Sequence, residues 1–93
     1  MSAADASALR MSIAAETART YFTLRGAQRE LEARQVSADA LRRVLELVQK
    51  RREAGDLPDA DVERAQARLD QARALAEEAT QLFNVQRGRV HQR

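Results

Sequence analysis

The sequence predicts an all-α protein, a long antiparallel helical hairpin, coiled-coil-like, that self-associates into a helical bundle. Three observations point there. The only Pro and one of the three Gly residues fall together at 55–58, with helix-patterned sequence on either side. Apolar residues recur at heptad spacing both before and after that interruption. Ala, Glu, Leu, Arg and Gln dominate the composition, while Tyr21, Phe22 and Phe83 are the only aromatic residues. Such a composition suits long helices better than a compact globule, because Ala adds little buried surface.

Residues 1–4 are expected to be frayed, and the first helix to span 5–54 with Asp5 or Ser7 as its cap. Its main seam is Leu24, Leu31, Ala38 and Leu45, interleaved with Ala27, Leu41 and Val48 and interrupted by Arg34. A second stripe of mostly small residues, Gly26, Ala33, Ala40, Leu47 and Ala54, repeats with the same period about 200° around the helix. Gly26 costs roughly 1 kcal/mol against Ala inside a helix, so it marks either a break or a member of the small stripe. No Pro, Asn or Ser stands beside it, which favours a continuous helix.

Residues 55–58 form the tip. Gly55 suits the position past a helix end where the backbone turns left-handed. Pro58 cannot continue the first helix but fits the start of the next. Lys50, Arg51 and Arg52 precede the turn and Asp56, Asp59, Asp61 and Glu63 follow it, so each group opposes the local helix-dipole charge.

The second helix is expected over 59–87, with a seam of Val62, Leu69, Ala76 and Phe83. Ala65, Ala72 and Ala79 fill the seam, Leu75 and Leu82 widen it, and Ala60, Ala67 and Ala74 lie on another face. Two such faces on each helix suggest neighbours on both sides, since small residues allow close helix approach. Residues 88–93 read as a basic, disordered tail.

Length has a further consequence. A helix over 5–53 is about 73 Å long and the second only about 45 Å, at about 1.5 Å per residue. Residues 5–25 would then overhang, leaving Ile13, Tyr21, Phe22 and Leu24 in water. Self-association follows, most simply a dimer in which the overhangs cover each other.

Chemistry is sparse. With no Cys, disulfides and thiolate metal sites are excluded. His91 is the only imidazole and lies in the polar tail without a partner acid or base. Asp56, Asp59 and Asp61 lack the glycine and terminal Glu of a calcium loop, and helix capping accounts for them. No catalytic residues, cofactor or metal site are expected, and the chain is not expected to be an enzyme. No apolar run has the ~18 residues of a membrane span, and no export signal or lipid-attachment Cys is recognisable. The net charge is only +2, with opposite charges interspersed at i,i+4 as Glu30/Arg34, Asp39/Arg43, Glu46/Lys50 and Arg73/Glu77. This reads as a solvated surface, so no nucleic-acid partner is expected.

Certain motifs carry a resemblance. The segment 18–25, Ala-Arg-Thr-Tyr-Phe-Thr-Leu-Arg, is followed by Arg-Glu-Ala-Gly-Asp-Leu at 52–57 and Asp-Val-Glu-Arg-Ala-Gln-Ala at 61–67. Together they resemble the periplasmic hairpin of TolC-type outer-membrane efflux proteins, over roughly residues 8–80. That family forms trimers, with a β-barrel in the outer membrane and an α-helical barrel in the periplasm. The resemblance implies that the chain is a segment of such a barrel, whose parent exports small molecules or polypeptides. It implies a docking tip for a periplasmic adaptor at Ala54, Gly55, Asp56 and Leu57, with Asp61 and Val62 opening the returning helix. Helix packing would run through Leu24, Leu31, Leu41, Leu45, Val48, Leu69, Leu75 and Phe83. The family usually places Val before the Gly and Leu after it, where Ala54 and Asp56 stand here. Membrane contact would come only through parts of the parent that this chain lacks. A full-length parent would sit at the periplasmic side of the outer membrane, whereas this short chain, expressed as it stands, would remain cytoplasmic. The alternative reading is a stand-alone coiled-coil interaction module without a transport role.

Overall fold

The computed structural model describes residues 2–91. Two helices account for nearly all of them, α1 over Ala3–Glu53 and α2 over Asp59–His91. They pack only against each other, giving a rod of 80 × 15 × 15 Å. The radius of gyration is 22.3 Å, against about 12 Å for a compact chain of this length. The molecule is a two-helix hairpin with one seam and no enclosed core.

α1 begins earlier than the expected caps. Ser2 is the N-cap: its side chain accepts from the Asp5 N–H at 3.1 Å while the Asp5 carboxylate accepts from the Ser2 N–H at 3.4 Å. This reciprocal pairing satisfies two otherwise orphaned donors. Asp5 therefore assists a cap rather than being one, and Ser7 lies within the helix. α1 is continuous through Gly26, with no backbone break over its 51 residues. α2 runs four residues beyond the expected end at 87, because Gly88 alone does not stop a helix and half-buried Val90 prolongs the heptad pattern. Helix thus replaces the expected disorder over 88–91, while Gln92, Arg93 and Met1 lie outside the described residues.

Burial follows the heptads. Along α1 the less exposed positions are Leu24, Ala27, Leu31, Arg34, Ala38, Leu41, Leu45 and Val48, alternating by three and four. Along α2 the same alternation joins Val62, Ala65, Leu69, Ala72, Ala76, Ala79, Phe83 and Gln86. Leu45, Ala65 and Leu69 form the best-packed point, with Leu41, Val48 and Val62 against them. Beyond it α2 offers mainly Ala, which leaves room for Arg34 to lie on the seam and bind Glu30 at 2.9 Å. The longer α2 also corrects the expected overhang. Leu24 is half-buried, whereas Ile13, Tyr21 and Phe22 stay exposed, as expected for the overhang.

Candidate functional site

The closed end of the rod is a Schellman turn. Ala54 caps α1, Gly55 takes φ 84°, its N–H donates to the Arg52 carbonyl at 2.9 Å, and the Asp56 N–H donates to the Arg51 carbonyl at 2.9 Å. Those two bonds satisfy carbonyls that the helix end leaves open, and only Gly reaches that φ without a Cβ penalty. Pro58 stands just before α2, and its carbonyl accepts from the Asp61 N–H at 3.1 Å. Arg52 approaches Asp59 at 3.8 Å across the turn. Ala54, Gly55 and Asp56 are exposed and Leu57 is half-buried. Val62 packs into the seam, and half-buried Asp61 pairs with Arg64 at 3.6 Å. The six residues of the tip motif therefore divide: four form the turn itself, and two belong to the first turn of α2.

Away from the tip, the hairpin has two unlike flanks. On one, Gln35, Ala38, Asp39, Arg42, Arg73 and Ala76 line a shallow recess. Arg42 bridges Asp39 at 2.8 Å and Glu46 at 2.6 Å, and Arg43 also binds Asp39. The hydrogen bond from Arg42, helped by the nearby Arg43 charge, holds the Asp39 carboxyl below its ordinary range. Of the expected i,i+4 pairs, Glu30–Arg34 and Asp39–Arg43 form. Glu46 instead turns back to Arg42, and among the described residues Arg73 makes no ion pair with Glu77.

The opposite flank is a continuous open groove. Its middle, about 320 Å³, is lined by Arg34, Ser37, Leu41, Arg68, Gln71, Ala72 and Leu75. Towards the tip it continues past Val44, Val48 and Arg64, and away from the tip past Glu30, Glu78 and Leu82. Leu75, expected within the packing seam, is half-buried on this flank, whereas Leu24, Leu31, Leu41, Leu45, Val48, Leu69 and Phe83 lie on the seam itself. Val44 and Arg68 escaped the sequence reading because neither belongs to a seven-residue apolar stripe. A signal existed in retrospect: both stand one place before a seam residue, Leu45 and Leu69, and so share the flank beside it.

No group of three acidic, His or Cys side chains that could hold a metal occurs among the described residues, and no described helix is long and apolar enough to cross a membrane. No curated protein and no solved structure matches the chain. Residues 1–89 match the sequence profile of a family described as outer membrane efflux protein. The two-helix rod, its seam and its Gly-centred turn fit that match over nearly the whole chain, which therefore belongs to the outer membrane efflux protein family.

Proposed function

We propose that the chain is part of the periplasmic α-helical barrel of an outer-membrane efflux channel, and that its tip docks a periplasmic adaptor protein. The observation that carries this reading is the exposed turn at Ala54, Gly55, Asp56 and Leu57, closing a rod in a chain of this family. A turn held by two backbone bonds is pre-organised, so a partner binding it loses little in ordering the loop. Half-buried Leu57 supplies an apolar contact, with Asp56 beside it for a hydrogen bond or ion pair. Asp61 and Val62 hold the start of α2 in place behind the turn. In the assembled channel the chain acts in a trimer, and the exported substrates are small molecules or polypeptides.

The test is direct binding of an adaptor hairpin to the chain and to Gly55→Asp and Leu57→Asp. Each substitution is expected to weaken binding by about tenfold or more, the usual scale for disturbing a central contact, while helicity by circular dichroism stays the same. Unchanged binding in both variants would remove the tip assignment. Cell fractionation with an antibody against residues 24–80 tests the location: the expected species is several times larger than 10.4 kDa and lies in the outer-membrane fraction. A soluble 10.4 kDa species would instead favour the stand-alone interaction module.

A further inference from the structure

The turn at the tip is held unevenly. On the α1 side the Ala54, Gly55 and Asp56 N–H groups donate to the carbonyls of Lys50, Arg52 and Arg51 at 3.1, 2.9 and 2.9 Å. On the α2 side the Asp61 N–H donates to the Pro58 carbonyl at 3.1 Å, a bond that closes the first turn of α2 and does not reach back to α1. Among the described residues no backbone hydrogen bond links these two groups, so Leu57 and Pro58 are the joint between them. Proline sets its own φ and keeps the residue before it extended, which narrows the play of that joint without removing it. Leu57 and Val62 stand at the N′ and N4 places of α2, where an apolar pair guides the chain into a helix. Val62 itself packs against the Leu45, Ala65 and Leu69 cluster.

One ion pair crosses the joint. The Arg52 guanidinium approaches the Asp59 carboxylate at 3.8 Å, from the last turn of α1 to the first residue of α2. The pairs of Arg34, Arg42, Arg43 and Arg64 instead join residues three or four apart on one helix. Pairs of that kind stiffen a helix but do not orient it against another. Arg52 also supplies the carbonyl that receives the Gly55 N–H, so one residue grips the turn at both ends. Its charge lies at the C-terminus of α1 and that of Asp59 at the N-terminus of α2, so each is favoured where it stands. Both side chains are exposed, Asp59 to 84 %, so the pair adds little to global stability. Its effect falls on the direction in which α2 leaves the turn.

We infer that Arg52 is a positioning residue for the tip, which through Asp59 holds α2 at the angle that presents Gly55, Asp56 and Leu57 to a docking partner. This role rests on the reading of the tip as an adaptor site. A partner that needs one orientation of the turn binds less tightly when that orientation is populated only part of the time. Arg52 therefore acts on affinity without touching the partner.

The free chain tests the joint first. In Arg52→Gln the NMR order parameters of the Asp56, Leu57 and Asp59 amides are expected to fall, with the urea midpoint of the whole chain unmoved. Binding of an adaptor hairpin is then compared among Arg52→Gln, Asp59→Asn and the double variant. Each single change should raise the dissociation constant by about two- to fivefold, the range of an exposed ion pair. The double variant should bind no worse than either, because the second change removes a partner already lost. Arg52→Lys keeps the charge and should stay within about twofold of the unchanged chain. Unaltered order parameters in Arg52→Gln would overturn the inference. So would a loss with Arg52→Gln but none with Asp59→Asn, which would make Arg52 a contact, or losses that add in the double variant. If Gly55→Asp and Leu57→Asp weaken binding while Arg52→Gln does not, docking at the tip stands and the positioning role falls. If all of them leave binding intact, the docking site falls and the positioning role with it.

Discussion

Leu45 and Ile13 lie on the same helix and on the same heptad stripe, yet the first is 7 % exposed and the second 55 %. Between them the backbone of α1 does not change; what changes is whether α2 lies alongside. In the stem, from Leu24 to the tip, the stripe is covered and the helix is held by packing. In the arm, residues 3–16, it is helical through continuity with the stem and the Ser2–Asp5 capping box. A separate helix of that length would be marginal in water. The comparison separates two sources of helix that look alike in a backbone trace.

Substitution along the stripe breaks the comparison most sharply. Leu45→Ala should destabilise the chain by about 2–5 kcal/mol, through lost burial and the cavity left against Ala65 and Leu69. Ile13→Ala should stay within about 0.5 kcal/mol. Urea denaturation followed by circular dichroism, at one fixed protein concentration, measures both. Equal losses would mean that the arm is as well packed as the stem.

Gly26 lies inside the stem, and a Cβ there would meet nothing within 4 Å. Gly26→Ala is thus expected to stabilise the hairpin by about 0.5–1 kcal/mol, read in the same titration. A loss would point to a close neighbour that the hairpin alone does not contain. Removing the cap acts on the arm only: Ser2→Ala should cost about 1 kcal/mol locally. It should appear as faster amide exchange over the first turns, with the midpoint of stem unfolding unmoved.

The smallest effect is electrostatic. The folded-state pKa of Asp39 is lowered, so its contribution is present above the ordinary carboxylate pKa and fades as pH falls through the folded value. Its side chain is exposed and its partners are flexible arginines, so the contribution is slight. Asp39→Asn should flatten the loss of melting temperature between neutral and strongly acidic solution by a small margin. A larger change in acid than at neutral pH would reverse the assigned sign.

Much of this molecule was legible from residue order because a two-helix rod is governed by local rules. Gly55 and Pro58 placed the turn, the charge order around them agreed, and period-seven spacing named both seams before any contact was known. Two of the differences between sequence reading and structure arise at helix ends, while those at Leu75 and Glu46 arise mid-helix. The Ser2–Asp5 box was passed over for later caps, and Gly88 was given more power to stop a helix than one Gly has. As a result α2 came out too short and Leu24 was left in water.

Residue order by itself determined which side chains share a stripe, where the chain reverses and that two helices must pair, since helical period and backbone sterics act within a few residues. Only the tertiary structure decided what lies beside each stripe. Packing α2 against α1 set Gln35, Asp39, Arg42 and Arg73 on one flank and Val44, Leu75 and Leu82 on the other. It also set which part of α1 is covered, burying Leu45 and leaving Ile13 exposed. Those outcomes depend on the register and rotation of one helix against another, which no single helix's periodicity contains.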